Sequence, residues 1–136
     1  MRFLGIDYGT KRIGIAVSDE NIILAFPKGI LLNNLNIFKN IGEILKTENI
    51  SEIVIGESVN FKGKENIVSK EIKTFISELK DKFNLPIHEQ KEFLTSVEAR
   101  RHQDFGGQAR RFQKKKEVDD SAAALILQRY LDRINN

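Results

Sequence analysis

The sequence predicts an α/β protein with a mixed five-stranded sheet flanked by helices. Three observations carry this. Residues 1–30 hold three consecutive strand-like runs separated by short polar turns, the pattern of an antiparallel meander. Strand-like and helical runs then alternate, which adds strands in parallel to the same sheet. The length of 136 residues, with 40% hydrophobic and 30% charged content, suits one domain spanning 1–136 with a real core, and argues against wholesale disorder.

Arg2 to Tyr8 alternates and then runs apolar, as a central strand does. Gly9-Thr10-Lys11 is a turn into a second strand, Arg12 to Ser18, and Asp19-Glu20-Asn21 is a second turn. Ile22 to Ile30 reads as a third strand, which Pro27 assigns to a sheet edge because proline cannot donate to a ladder. Asn33-Asn34 marks a break and a candidate cap. Leu35, Phe38, Ile41, Ile44 and Leu45 then recur at helical spacing up to Thr47.

Ser51 to Gly56 is a short β-branched strand, and residues 58–63 a polar loop. A long amphipathic helix follows, with Ile67, Ile72, Phe75, Ile76 and Leu79 on its buried side, ended by Asn84-Leu85-Pro86. Pro86 to Lys91 reads as a fifth strand. Thr95 or Ser96 caps a helix through Val97, Ala99 and Arg100. Phe105 to Glu117, with paired glycines and dense positive charge, reads as a loop. Asp119 or Asp120 caps the last helix, whose buried stripe is Ala122, Ala123, Ile126, Leu127, Tyr130 and Leu131. This element order is that of the ribonuclease-H-like fold.

Several function classes fall away. Without cysteine there are no disulfides, thiolate metal sites or cysteine nucleophile, which is compatible with a reducing compartment. His88 and His102 lie in separate elements and make a poor zinc set. Met1-Arg2 runs straight into a strand, unlike a signal peptide, and no apolar run approaches the ~20 residues that span a bilayer.

The chemistry rests on acids. A carboxylate on a central strand is costly unless it is paired, hydrogen-bonded or bound to a cation, so Asp7 is a candidate metal ligand. Glu57 directly follows the fourth strand, Glu92 follows the fifth, and Asp119 opens the final helix. Parallel strands beside a central first strand open their C-terminal ends on one crevice. Carboxylates gathered there repel one another unless divalent cations neutralise them, and oxygen-only ligands suit Mg²⁺ or Mn²⁺. Two such ions ~3.5–4 Å apart can activate a water and stabilise the leaving oxygen of a phosphodiester. Each acid also has a plainer reading: a turn residue for Asp7, a helix N-cap for Asp119, solvated loop residues for Glu57 and Glu92.

Positive charge crowds the same part of the chain. Arg100, Arg101, Arg110, Arg111, Lys114, Lys115 and Lys116, with Phe105 and Phe112 interleaved, lead directly into Asp119. Such a segment attracts a polyanion through phosphate contacts and counterion release, and its phenylalanines can stack on unpaired bases. The plainer reading is a solvated loop whose charge serves solubility. Lys11 and Arg12, close to Asp7 in sequence, can add phosphate contacts. None of these features tells RNA from DNA.

The string Ile6-Asp7-Tyr8-Gly9-Thr10-Lys11-Arg12-Ile13-Gly14-Ile15-Ala16-Val17 resembles the opening of the YqgF family, also called RuvX, relatives of the RuvC Holliday junction resolvase. Glu92-Phe93-Leu94-Thr95-Ser96-Val97-Glu98-Ala99-Arg100 is similar, more loosely, to that family's Asp-Glu-Arg-Leu-Thr-Thr-x-Glu-Ala segment. Val118-Asp119-Asp120-Ser121-Ala122-Ala123 is similar to its Asp-x-x-Ala-Ala helix. The resemblance extends over essentially the whole chain. It implies a RuvC-like, ribonuclease-H-like fold, a cytoplasmic location, and a divalent-metal nuclease that trims the 5′ end of 16S rRNA precursors, with Asp7, Glu92 and Asp119 as its acids. The chain departs from the pattern at Lys91-Glu92-Phe93, where the acid before Glu92 and the arginine after it are replaced. It departs again at Gly56-Glu57-Ser58, where the family carries Gly-Leu-Pro. Glu57 falls where RuvC-like resolvases carry their second acid, and is a candidate compensating ligand.

Three rival readings remain. A structure-selective resolvase would use the same site on branched DNA as a dimer, whereas a nuclease on precursor rRNA works as monomer or homodimer. A non-catalytic nucleic-acid binder would account for the altered middle block. Asp-x-Gly-Thr on a hairpin also resembles the phosphate-binding element of actin-like ATPases and sugar kinases, but those close two lobes over their nucleotide, and no P-loop is present.

Overall fold

The computed structural model describes residues 1–56, 65–90 and 114–136, with side chains for 1–56, 70–90 and 122–136. In chain order the elements are β1 (Arg2–Asp7), β2 (Arg12–Ser18), β3 (Ala25–Leu32), α1 (Ile37–Thr47), β4 (Ile50–Gly56), α2 (Glu65–Lys82), β5 (Ile87–Glu89) and α3 (Lys114–Ile134). The five strands form one sheet in the order β3-β2-β1-β4-β5. β1 is central, antiparallel to β2 and parallel to β4; β2 pairs antiparallel with β3, and β4 parallel with β5. The meander, the parallel additions and the edge position of the Pro27 strand are as the sequence predicts.

Successive side chains of a strand point to opposite faces. On one face Leu4, Ile6, Tyr8, Ile13, Ile15, Ile53 and Ile55 pack with Ile37 and Ile41 of α1 and with Ile72, Phe75, Ile76 and Leu79 of α2. On the other, Phe3, Ala16 and Val54 pack with Ala123, Ile126, Leu127 and Leu131 of α3. The second face is built from smaller residues, and α3 lies close to it. A Cβ added at Gly5 would come within 2.7 Å of the Leu127 Cβ. The Phe3 and Tyr130 rings lie 6.2 Å apart, so α3 runs antiparallel to β1.

Several expected boundaries are corrected. The third strand begins at Ala25, not Ile22. The Asp19 carboxylate accepts the Ile23 and Leu24 amides at 2.8 and 3.0 Å and folds 19–24 into a turn. This turn holds Ile22 at φ 60, a conformation a β-branched residue adopts only when its surroundings impose it. α3 supplies part of that constraint, since Gln128 donates to the Ile23 carbonyl and Asn135 to that of Ile22, both at 2.8 Å. Leu35 is fully exposed and lies before α1, because the Asn34 side chain accepts the Asn36 amide and keeps residues 34–36 in a turn. β5 is shorter than Pro86–Lys91, although the Gln90 amide still donates to the Ile55 carbonyl.

The last helix starts at Lys114 rather than at Asp119 or Asp120. Lys and Glu are strong helix formers and 114–118 contain no Gly or Pro, so helix propagates through residues that their charge alone marks as loop. The helix expected near 95–100, and the remainder of the 105–117 loop, lie outside the described residues. Among the described residues, no helix is long and apolar enough to cross a membrane.

Candidate functional site

Asp7 ends the central strand, half-buried, on the α3 side of the sheet with Phe3 and Gly5. Its cross-strand neighbours are glycines on both sides, Gly14 in β2 and Gly56 in β4. The chain then turns sharply. The Tyr8 amide donates to the Gly56 carbonyl at 2.8 Å, and Gly9 sits so tightly that a Cβ there would lie 2.3 Å from the Arg12 carbonyl oxygen. The turn and strand ends line a cleft of about 270 Å³ bounded by Asp7, Gly9, Thr10, Lys11, Arg12 and Gly14. Lys11 and Arg12 are both exposed there. A carboxylate and two cations thus share one opening at the C-terminal end of β1.

The other expected ligands are placed to different degrees. β4 ends at Gly56, opposite Asp7, one residue before Glu57, which lies outside the described residues. Glu92 and the cations Arg100, Arg101, Arg110 and Arg111 also lie outside them. Two residues before Glu92, Gln90 donates its backbone amide to the Ile55 carbonyl at 2.8 Å, and its side-chain oxygen accepts from Arg133 at 2.7 Å.

Asp119 is not an N-cap, since its backbone lies inside α3. It precedes Ala123 by one helical turn, about 6 Å along the axis, and the Ala123 carbonyl packs over Gly5. From Gly5 to Asp7 is a further ~6.6 Å of strand in the same direction. The backbone of residue 119 is therefore roughly level with Asp7. Lys114, Lys115 and Lys116 lie in the first turn of the described helix, about one turn before residue 119.

His88 lies in β5, where its Nε2 pairs with Glu52 at 2.6 Å while its ring stacks on Tyr130 at 5.0 Å. Burial, with the Glu52 charge behind it, pushes the Tyr130 hydroxyl above its usual range, and the Arg133 guanidinium over its ring opposes this. His102 lies outside the described residues. Among the described residues, no three His, Cys, Asp or Glu side chains converge as a metal set. Sequence reasoning missed the Gln90–Arg133 contact and the Asn33 side chain, which donates to the Gly9 carbonyl at 2.9 Å. In the sequence Asn33 registers, with Asn34, as a break and a candidate helix cap.

The family model described as "RuvX: Holliday junction resolvase" matches residues 1–133. The chain belongs to the RuvX family. It is similar to proteins named "Putative pre-16S rRNA nuclease" from Maridesulfovibrio salexigens and Lawsonia intracellularis. The first is 34% identical over 135 residues, 98% of this chain and 99% of that protein; the second is 37% identical, covering 98% and 94%. The fowlpox virus resolvase, solved with a Holliday junction DNA, superposes over the full length of both chains with a TM-score of 0.54 at 14% identity. That likeness concerns the fold, which is ribonuclease-H-like. In this RuvX chain the central-strand aspartate, the hairpin behind it and α3 are where the motif order leads one to look for them.

Proposed function

We propose that this RuvX chain is a divalent-metal-dependent nuclease that hydrolyses phosphodiester bonds and trims the 5′ end of 16S rRNA precursors in the cytoplasm. The observation that carries the reading is Asp7, a half-buried carboxylate on the central strand, beside a cleft that also holds Lys11 and Arg12. The names of its full-length relatives support the substrate class. A hard carboxylate oxygen at that position suits Mg²⁺ or Mn²⁺. Asp7, Glu57, Glu92 and Asp119 would hold the metal, which supplies Lewis acidity at the scissile phosphate when bound. This chain's own residues do the rest. Lys11, Arg12, Arg100, Arg101, Arg110, Arg111 and Lys114–Lys116 draw in the polyanion.

The test is cleavage of a labelled single-stranded RNA with Mn²⁺ or Mg²⁺, beside Asp7→Asn and an EDTA control. Metal-dependent cutting by the wild type alone is expected; binding without cutting would transfer the chain to the non-catalytic reading. Lys91 and Phe93 in the middle block make Glu57 the compensating ligand. Metal affinity measured in Glu57→Ala should fall, and an unchanged value removes Glu57 from the set. A second reading, a dimeric junction resolvase, is favoured by the description of the matching family. Preference for a four-way DNA junction over RNA would establish it.

A further inference from the structure

The hydrogen bonds that hold the turn between β1 and β2 include three from outside the β1–β2 ladder. One is the Tyr8 amide on Gly56. The other two come from a single residue, Asn33, just past the end of β3. Its backbone amide donates to the Lys11 carbonyl and its side-chain amide to the Gly9 carbonyl, both at 2.9 Å. Asn33 is itself anchored. The next residue, Asn34, donates to the Leu32 carbonyl, accepts the Ile37 amide on its own carbonyl, and takes the Asn36 amide on its side chain, which ties the segment to the start of α1. The tip Gly9–Lys11 is thus braced between the central strand and α1, although its own side chains face solvent.

A turn of this kind needs only a glycine at its tight corner and one strand-end hydrogen bond to close. The side-chain bond from Asn33 to Gly9 is additional, and acts on the residue two places after Asp7. Lys11 is exposed on the same cleft as Asp7. A lysine on a loose tip loses both backbone and side-chain freedom when it meets a phosphate; on a braced tip the backbone is already placed and only the side-chain torsions remain to be ordered.

We propose that Asn33 is a positioning residue, which braces the Gly9–Lys11 tip so that Lys11 meets a backbone phosphate of bound nucleic acid next to Asp7. The inference rests on the nuclease reading for its setting, but it is read out by binding, independently of cleavage.

The experiment measures binding of a labelled single-stranded RNA oligonucleotide against salt concentration. It compares the wild type, Lys11→Ala, Asn33→Ala, and the double variant. Asn33→Leu, of similar volume but with no donor, serves as a second variant should the alanine form fold poorly. Loss of one phosphate contact reduces the slope of log affinity against log salt by about 0.7 for a single strand. Lys11→Ala should show that reduction. Either Asn33 variant should weaken binding several-fold and move the slope in the same direction, and the double variant should bind no worse than Lys11→Ala alone. A purely structural role would lower the melting temperature and leave slope and coupling untouched. Wild-type affinity and slope in the Asn33 variants would overturn the proposal, as would losses that simply add in the double variant. An unaffected Lys11→Ala would also overturn it, while metal-dependent cleavage by the wild type would keep the nuclease reading intact. Absence of cleavage alongside the expected coupling would remove the nuclease reading and leave the brace standing.

Discussion

The two faces of the sheet do different work with the same strands. Toward α1 and α2 they present Leu4, Ile6, Tyr8, Ile13, Ile15, Ile53 and Ile55, large side chains buried without polar atoms apart from the tyrosine hydroxyl. Toward α3 the same strands present Phe3, Gly5 and Asp7, then Gly14, Ala16 and Ser18, then Glu52, Val54 and Gly56. Small residues there let α3 approach, and the polar groups of the fold gather on this side: Asp7 at one end, the Glu52–His88 pair at the other, and Gln90 against Arg133. One face holds the fold together by volume, and the other gives up apolar area so that an acid can stand at the end of a central strand. Burying a carboxylate is tolerable only near solvent or a cation, which is why Asp7 sits at the strand end and not at its middle.

The sharpest way to separate the faces is Asp7→Asn. Removing a group that stabilises charge at the reaction centre costs about two to three orders of magnitude in rate, and cleavage of labelled RNA should fall by at least that much. Its melting temperature should shift far less than that of a core truncation, because asparagine keeps the size of the half-buried side chain and leaves no cavity. Ile6→Ala, one residue earlier and on the opposite face, should do the reverse. It should cost about 3 kcal/mol in urea unfolding through the cavity it leaves, with cleavage retained at low temperature. If Asp7→Asn destabilised as much as Ile6→Ala, the division between the faces would not hold.

Gly5→Ala probes the close approach of α3. Its new methyl would meet the Leu127 Cβ at 2.7 Å and the Ala123 carbonyl at 3.2 Å. Overpacking of this kind costs about 2 kcal/mol, and because α3 also carries residue 119, cleavage should drop with stability. Full activity in a destabilised Gly5→Ala protein would separate α3 packing from the site.

The smallest effect concerns the far end of the sheet. The Lys28 ammonium, 2.6 Å from Glu48, and behind it the charge of Arg2, hold the Glu48 carboxyl below its usual range despite partial burial. A carboxyl lowered on folding adds stability above its unfolded value of 4.5, and that contribution is lost as the pH falls through the lower folded value. Glu48→Gln should therefore be less stable than the wild type at neutral pH by under about 1 kcal/mol, as expected for a part-exposed pair. The difference should vanish in acid and shrink in high salt. A gap that persists in acid would point to packing instead of charge.

Much of this was legible beforehand, and the reasons differ from element to element. The meander and the central place of β1 follow from apolar runs of period two and from short polar turns. Pro27 marked the edge because a missing donor is a local fact. Ile22–Leu24 looks like strand by composition, while the Asp19 carboxylate and the reach of Gln128 from α3 fold it into a turn. Leu35 fits a helical stripe by spacing, yet the Asn34 side chain holds residues 34–36 in a turn and α1 begins only at Ile37. Aspartate before an alanine run suggests a cap at Asp119, but lysine and glutamate carry the helix further back.

By itself, the sequence determined the fold class, the family and the candidacy of Asp7, because these rest on local properties: hydrophobic period, turn chemistry and a motif carried by contiguous residues. Only the tertiary structure decided which neighbours those residues meet. It set Gly14 and Gly56 beside Asp7, brought the backbone of residue 119 level with it, tied Gln90 to Arg133, and laid the Asn33 amide on the Gly9 carbonyl. Apart from Gly14, which the short hairpin itself brings opposite Asp7, these neighbours are far apart in the chain, and their meeting depends on strand register and helix direction, which no local pattern encodes.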